Sequence, residues 1–140
     1  MKYTWPTDEQ LTTLDQRRDD SRTITMLNLL RYRERADYSE HPDETPCSGR
    51  EAYARYADQA IACVESVGGR LVFGGGAAAN AIGPDDEQWD DVLIVEYPNA
   101  NAFFEMMTSE RYQAFAYHRA AAVDDSRLVP MTAGEMNYLK

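Results

Sequence analysis

Val92-Leu93-Ile94-Val95 is apolar at every position, between Trp89-Asp90-Asp91 on one side and Glu96-Tyr97-Pro98 on the other. The run is too short for a buried helix and rich in β-branched residues, so it predicts a strand. A strand apolar at consecutive positions is covered on both faces. Thr23 to Tyr32 repeats the pattern, with Ile24, Met26, Leu27, Leu29 and Leu30 apolar and Asn28 interrupting them. A third strand is expected from Arg70-Leu71-Val72-Phe73 through Gly74-Gly75-Gly76 to Ala79. Ser126 to Met131 reads as the last strand, an edge or an ending, because Pro130 cannot donate to a ladder.

Helices are announced by their caps. Thr7-Asp8-Glu9-Gln10 and Ser48-Gly49-Arg50-Glu51 both have the capping-box form. The first opens a short helix to about Arg18 with a thin apolar face, Leu11 and Leu14. It is expected to lie on the main domain as an appendage, with Trp5 as an anchor. The second opens a helix with Tyr53, Tyr56, Ala57, Ala60, Val64 and Val67 at helical spacing, stopped by Gly68-Gly69. The hydroxyls of Tyr53 and Tyr56 need partners, which makes one of them a candidate for a pocket wall. Asn99 caps a helix over Ala102 to Met107, and Ser109 a further piece carrying Tyr112 and Phe115 and running on to Asp124-Asp125. Arg33 to Cys47 is a long polar loop, and the tail from Thr132 reads as irregular. The triple glycine lacks the lysine and serine or threonine of a phosphate loop, so a bulge or close backbone approach is the better account.

After the extra helix, the order is strand, helix, strand, strand, helix, strand. This is the split βαβ pattern of an α+β, ferredoxin-like antiparallel fold. One domain is expected over 1–140, with 1–22 a helical appendage and 23–131 the core. Helices on one sheet face leave the other bare, yet the two central strands are apolar on both. A homodimer that packs sheet on sheet, a dimeric α/β barrel, answers this most simply.

Composition narrows the partners. The 140 residues carry a net charge of −10, which argues against nucleic acid and anionic membranes as partners. No apolar run approaches transmembrane length and the N-terminus lacks the apolar region of a signal peptide, so a cytoplasmic protein is expected. Cys47 and Cys63 fit reduced thiols, Cys63 buried in a helical stripe and Cys47 exposed in a loop.

The residues offer no metal site, since His41 and His118 are far apart and Asp90-Asp91 and Asp124-Asp125 are adjacent pairs whose side chains diverge. No cofactor is expected. The best polar cluster is Asn28, His118 and Arg119, with Tyr56, Phe73, Trp89 and Tyr97 as aromatic walls of one cavity. His118 would serve as general acid or base, Arg119 would hold an anionic group, and Asn28 would donate to a developing oxyanion. The plainer alternative has Asn28 bonded to a loop or a buried water. In it, His118 and Arg119 cap a helix end and pair with acidic neighbours such as Asp124.

Met26–Arg31, Ser48–Tyr53, Ile82-Gly83-Pro84, Trp89–Pro98, Tyr112-Gln113-Ala114 and His118-Arg119, in this order and spacing, resemble the domain-of-unknown-function 1330 family of the dimeric α/β-barrel superfamily. The resemblance runs from about Thr23 to Met131 and implies a ferredoxin-like protomer packed sheet to sheet in a dimer. It implies no settled activity, because the superfamily includes cofactor-free monooxygenases, haem proteins, isomerases and sensor domains. Two functions stay open. One is a cofactor-independent oxygenase or isomerase acting on an aromatic or lactone-like compound. The other is a non-catalytic dimer that holds a small hydrophobic acid or serves structure alone.

Overall fold

The computed structural model describes residues 2–134. Its elements are α1 (Asp8–Asp15), β1 (Ile24–Tyr32), α2 (Gly49–Ser66), β2 (Arg70–Gly76), β3 (Asp91–Tyr97), α3 (Ala100–Thr108), α4 (Glu110–Gln113), α5 (Tyr117–Ala122) and β4 (Val123–Met131). The strands form one antiparallel sheet in the order β2-β3-β1-β4. This is the ferredoxin-like α+β arrangement, with β1 and β3 central.

Both capping boxes are formed. The Thr7 hydroxyl accepts from Gln10 N–H and the Ser48 hydroxyl from Glu51 N–H, and each Gln or Glu side chain accepts from the cap residue's own N–H. Gly68 adopts a φ of 84°, the left-handed conformation that ends α2 and turns the chain into β2. Gly49 has a different reason. A Cβ there would meet the Arg33 carbonyl oxygen at 2.2 Å, so the first turn of α2 presses on the start of the long loop.

Strand alternation divides the apolar residues between two faces. Ile24 and Met26 of β1 are buried beneath α2 and α3, with Tyr97, Phe103, Met106 and Phe115 in the same core, and Leu30 is buried in a second cluster with Tyr53, Ala121 and Val123. Leu27 and Leu29 point the other way. Leu27 pairs with Ile94 and Val129, Leu29 with Val92, and Phe73 with Ile94, which makes a continuous apolar patch on the uncovered face. Phe73 and Val129 are 52% and 43% exposed there.

Some boundaries differ from expectation. The N-terminal helix ends at Asp15, β2 ends at Gly76, and β4 starts at Val123 with no helix over Asp124-Asp125. The last change follows from pairing, because Tyr32 bonds across to Val123 and Arg31 to Asp125 after a bulge. Cys47 is buried rather than exposed, because the long loop folds back onto the body. Arg33 and Asp37 N–H groups donate to the Ala122 and Ala121 carbonyls, and Ala36 N–H to Cys47. Thr132 to Gly134 form no helix or strand, and the rest of the expected irregular tail lies outside the described residues.

Candidate functional site

The helix-covered sheet face is not filled completely. Between it, α2, α3 and the N-terminal segment lies a cleft of about 1560 Å³. That exceeds the roughly 300–1,000 Å³ usual for a small-molecule pocket. Its floor is Met26, Asn28, Leu93, Val95 and Leu128, all on one sheet face by their register. Tyr53, Tyr56 and Val64 project from α2 because positions three and four apart share a helix face. Phe103, Met106, Tyr112 and Arg119 complete the inner wall, and Trp5, Leu11 and Leu14 cover one side.

Polar atoms in this apolar space are few. The Asn28 amide N–H₂ lies 3.3 Å from the Leu93 carbonyl and 3.4 Å from that of Met26, both at the weak end of hydrogen bonding. Its oxygen has no partner among the described residues. The Tyr56 and Tyr112 hydroxyls bond each other at 2.7 Å, and Tyr97 reaches only the Met106 sulfur, at 3.7 Å. The Tyr53 hydroxyl has no hydrogen-bond partner among the described residues. Tyr32 donates to Asp91 at 2.6 Å, and Arg50 holds the same carboxylate at 3.1 Å. Burial pushes the Tyr53 phenol up to about 12, and it drives Tyr56 and Tyr97 upward as well. These phenols are therefore neutral at neutral pH.

Arg119 is the cation on the inner wall, while Arg17, Arg50, Arg70 and Arg127 also border the cleft. Nη1 of Arg119 donates to the Thr4 carbonyl at 3.1 Å, and no carboxylate lies within ion-pair distance of it among the described residues. A guanidinium is a planar fork built for a carboxylate. Here it meets one neutral oxygen on the inner wall of a mainly apolar cleft.

Asn28, Arg119, Tyr56 and Tyr97 thus line one space. His118, Phe73 and Trp89 do not, and the expected meeting of Asn28 and His118 in one cavity does not occur. His118 is 7% exposed, but its Nδ1 lies 2.7 Å from the Tyr38 hydroxyl and its Nε2 4.0 Å from Glu44. Adjacent residues of a helix point about 100° apart. Arg119 therefore faces the cleft while His118 faces the long loop. Asp124 pairs with Lys2 and Arg31 and not with either of them. Phe73 is turned away by a bulge at Val72. Leu71 pairs with Val95, but Phe73 pairs with Ile94, and the skipped residue sends the ring to the open face. Trp89 precedes β3 and lies under the Arg127 guanidinium, 5.0 Å from carbon to ring centroid.

Sequence reasoning missed Tyr112, Phe103 and Met106 as wall residues, and Tyr38, Glu44 and Arg55 as the setting of His118. The thin Leu11–Leu14 face did mark the N-terminal helix as a cover, without saying what it covers. Among the described residues no cluster of histidine, cysteine or carboxylates could hold a metal ion, and no helix is long and apolar enough to cross a membrane.

A protein of unknown function from Rhodopseudomonas palustris has a solved structure similar to this one. The two share 41% identity, with 96% of this chain and 99% of that one covered at a TM-score of 0.86. More distant structures share the fold alone. Hydroxynitrile lyase from Passiflora edulis is 8% identical, covering 83% of this chain and 97% of that one at a TM-score of 0.57. A dabb family protein with a ferredoxin-like fold from Mesorhizobium loti is 11% identical, covering 81% and 98% at a TM-score of 0.50. No curated protein matches the chain. The family model described as a domain of unknown function, DUF1330, matches residues 45–132, which with the Rhodopseudomonas likeness makes this chain a member of the DUF1330 family.

Proposed function

We propose that this protein binds a small hydrophobic or aromatic acid in the cleft between helices and sheet. The observation that carries the reading is Arg119, a guanidinium with no carboxylate partner among the described residues, on the inner wall of a cleft whose lining is mainly apolar. An acid would supply the missing charge, and its apolar body would cover Met26, Leu93 and Tyr56. Neutral phenols around it impose no repulsion on an anion. The working unit in this reading is a homodimer, closed over the open-face patch of Leu27, Leu29, Phe73, Val92 and Ile94. Sheet faces of this kind are covered in stable folds.

A cofactor-independent oxygenase or isomerase remains the catalytic form of the same reading. It would draw on the Asn28 amide and the Tyr53 hydroxyl, the polar groups with spare hydrogen-bonding capacity in the cleft. His118 would take no direct part, because it faces Tyr38 and Glu44.

The test is native mass spectrometry of freshly purified protein for a retained acid, followed by calorimetric titration with benzoate and its neutral analogue benzamide. Benzoate binding that Arg119→Gln weakens at least about tenfold supports the reading, since a charge-assisted pair is worth on the order of 1.5–3 kcal/mol. No retained acid and no benzoate binding to the wild type would overturn it.

A further inference from the structure

The N-terminal arm crosses the cleft as a strap fixed at its two ends. At the first, Tyr3 N–H donates to Asp125 at 2.8 Å, while the Ser126 N–H and hydroxyl donate to the Tyr3 carbonyl at 2.8 and 2.7 Å. Arg127 lies over the Tyr3 ring at 4.9 Å. At the second, Arg18 bonds Asn101 at 3.0 Å and covers the Phe104 ring, and Arg17 bonds Thr132. Between Trp5 and Gln16 no hydrogen bond joins the arm to the body among the described residues. α1 contains no buried residue, and only Leu14 of this helix packs against the core. Lifting this span would therefore uncover little apolar surface.

Besides Leu14, one polar contact holds the arm close to the cleft beyond its first anchor among the described residues. It is the Arg119–Thr4 carbonyl hydrogen bond. Hydrogen bonds between ionised partners are roughly twice as strong as neutral ones, and a carboxylate can occupy both arms of the guanidinium. A neutral backbone oxygen is a poor competitor for that site.

We propose that the arm between these anchors, from Thr4 to Gln16, is a lid on the cleft, opened when an acidic ligand takes Arg119 from the Thr4 carbonyl. The inference rests on the acid-binding reading above and adds its regulation. Ligand charge is recognised and converted into access by the same guanidinium. A neutral ligand of equal shape gains no such entry, because it cannot outbid the carbonyl for Arg119. Such coupling needs only that the ligand bind the open state better than the closed one.

Trp5 reports on the arm directly. The chain has two tryptophans, so Trp89→Phe leaves Trp5 as the sole fluorophore. Acrylamide, a neutral quencher, then measures its exposure in the full chain. Saturating benzoate should raise the quenching constant by about 1.5-fold or more as the arm lifts, and benzamide should leave it unchanged. Arg119→Gln in the same background should show the raised value without any ligand. If benzoate binds by calorimetry yet Trp5 quenching stays level or falls, the lid is overturned and acid binding survives. Unchanged quenching in Arg119→Gln also overturns it, whatever benzoate does. If benzoate does not bind, both fall together.

Discussion

The Tyr38 hydroxyl lies 2.7 Å from Nδ1 of His118 and closes a junction between the long loop and α5. Arg55 donates to the same hydroxyl at 3.3 Å, and Glu44 accepts from Tyr117 while approaching Nε2 of His118. The His41 ring stacks on Tyr117 with centroids 4.0 Å apart, and the His118 ring lies tilted to it at 4.2 Å. Burial lowers the pKa of His118, with Glu44 opposing and Arg55 and His41 adding to the fall. The folded state therefore favours the neutral ring. Its contribution to stability is complete above the unfolded histidine value of about 6.5 and is lost as pH falls through the depressed folded value. Urea midpoints at about pH 7.5 and about pH 5.5 check this. The drop on acidification should be smaller in His118→Gln, and an equal drop in both proteins would contradict the assignment.

Asn28→Leu should keep the fold and weaken retention of the acid. The bonds the side chain makes to Leu93 and Met26 are long, so their loss should cost no more than about 1 kcal/mol. Thermal unfolding and benzoate calorimetry separate the outcomes. A variant that fails to fold would make Asn28 a structural hydrogen-bonding residue.

Ile94→Lys places a charge in the middle of the open face. If that face meets a second copy, the unpaired charge should cost roughly 3–5 kcal/mol and split the assembly. Sedimentation equilibrium at micromolar concentration should give two chains for the wild type and one for the variant. A wild-type mass equal to a single 15.9 kDa chain would sink the dimer.

Gly49→Ala should destabilise by about 1–3 kcal/mol, because the new methyl meets backbone on both sides and neither can rotate aside. The opposing atoms are the Arg33 and Ala122 carbonyl oxygens, at 2.2 and 2.7 Å from the built Cβ. A melting temperature equal to wild type would mean the loop start yields freely.

Binding to DNA or RNA should be undetectable at physiological salt, given a net charge of −10. A salt-dependent gel shift at low micromolar protein is the contrary result.

The strands and helix starts were legible because their signals are local. Val92–Val95 and the two capping boxes each lie within a few residues, and the two-sided apolar pattern of Met26–Leu30 foretold the bare sheet face. Of the four candidate site residues that line the cleft, Asn28, Tyr56 and Tyr97 were legible for the same reason, since they sit on elements with a clear parity or helical phase, whereas Arg119 sits on the short α5. The failures lie where phase is reset by tertiary pairing. Nothing in Leu71-Val72-Phe73 says which residue will be skipped opposite Ile94, although the glycines after it did suggest a bulge nearby. His118 follows two breaks in the helical run, at Ser109 and Ala114, and each break rotates what comes next. The loop residues Tyr38 and Glu44 carry no periodic signal at all.

β1 is a partition one backbone thick. Asn28 faces the cleft while its sequence neighbours Leu27 and Leu29 face the open side of the sheet. A shift of that strand by a fraction of an ångström, made to suit a different occupant above, is delivered unchanged to the surface below. If the cleft holds an acid and the open face a second copy, as proposed above, drift in ligand preference and drift in self-association are not independent traits in such a chain. Variants selected for one will carry a signature in the other, and homologues that changed their occupant are where altered assembly should be sought.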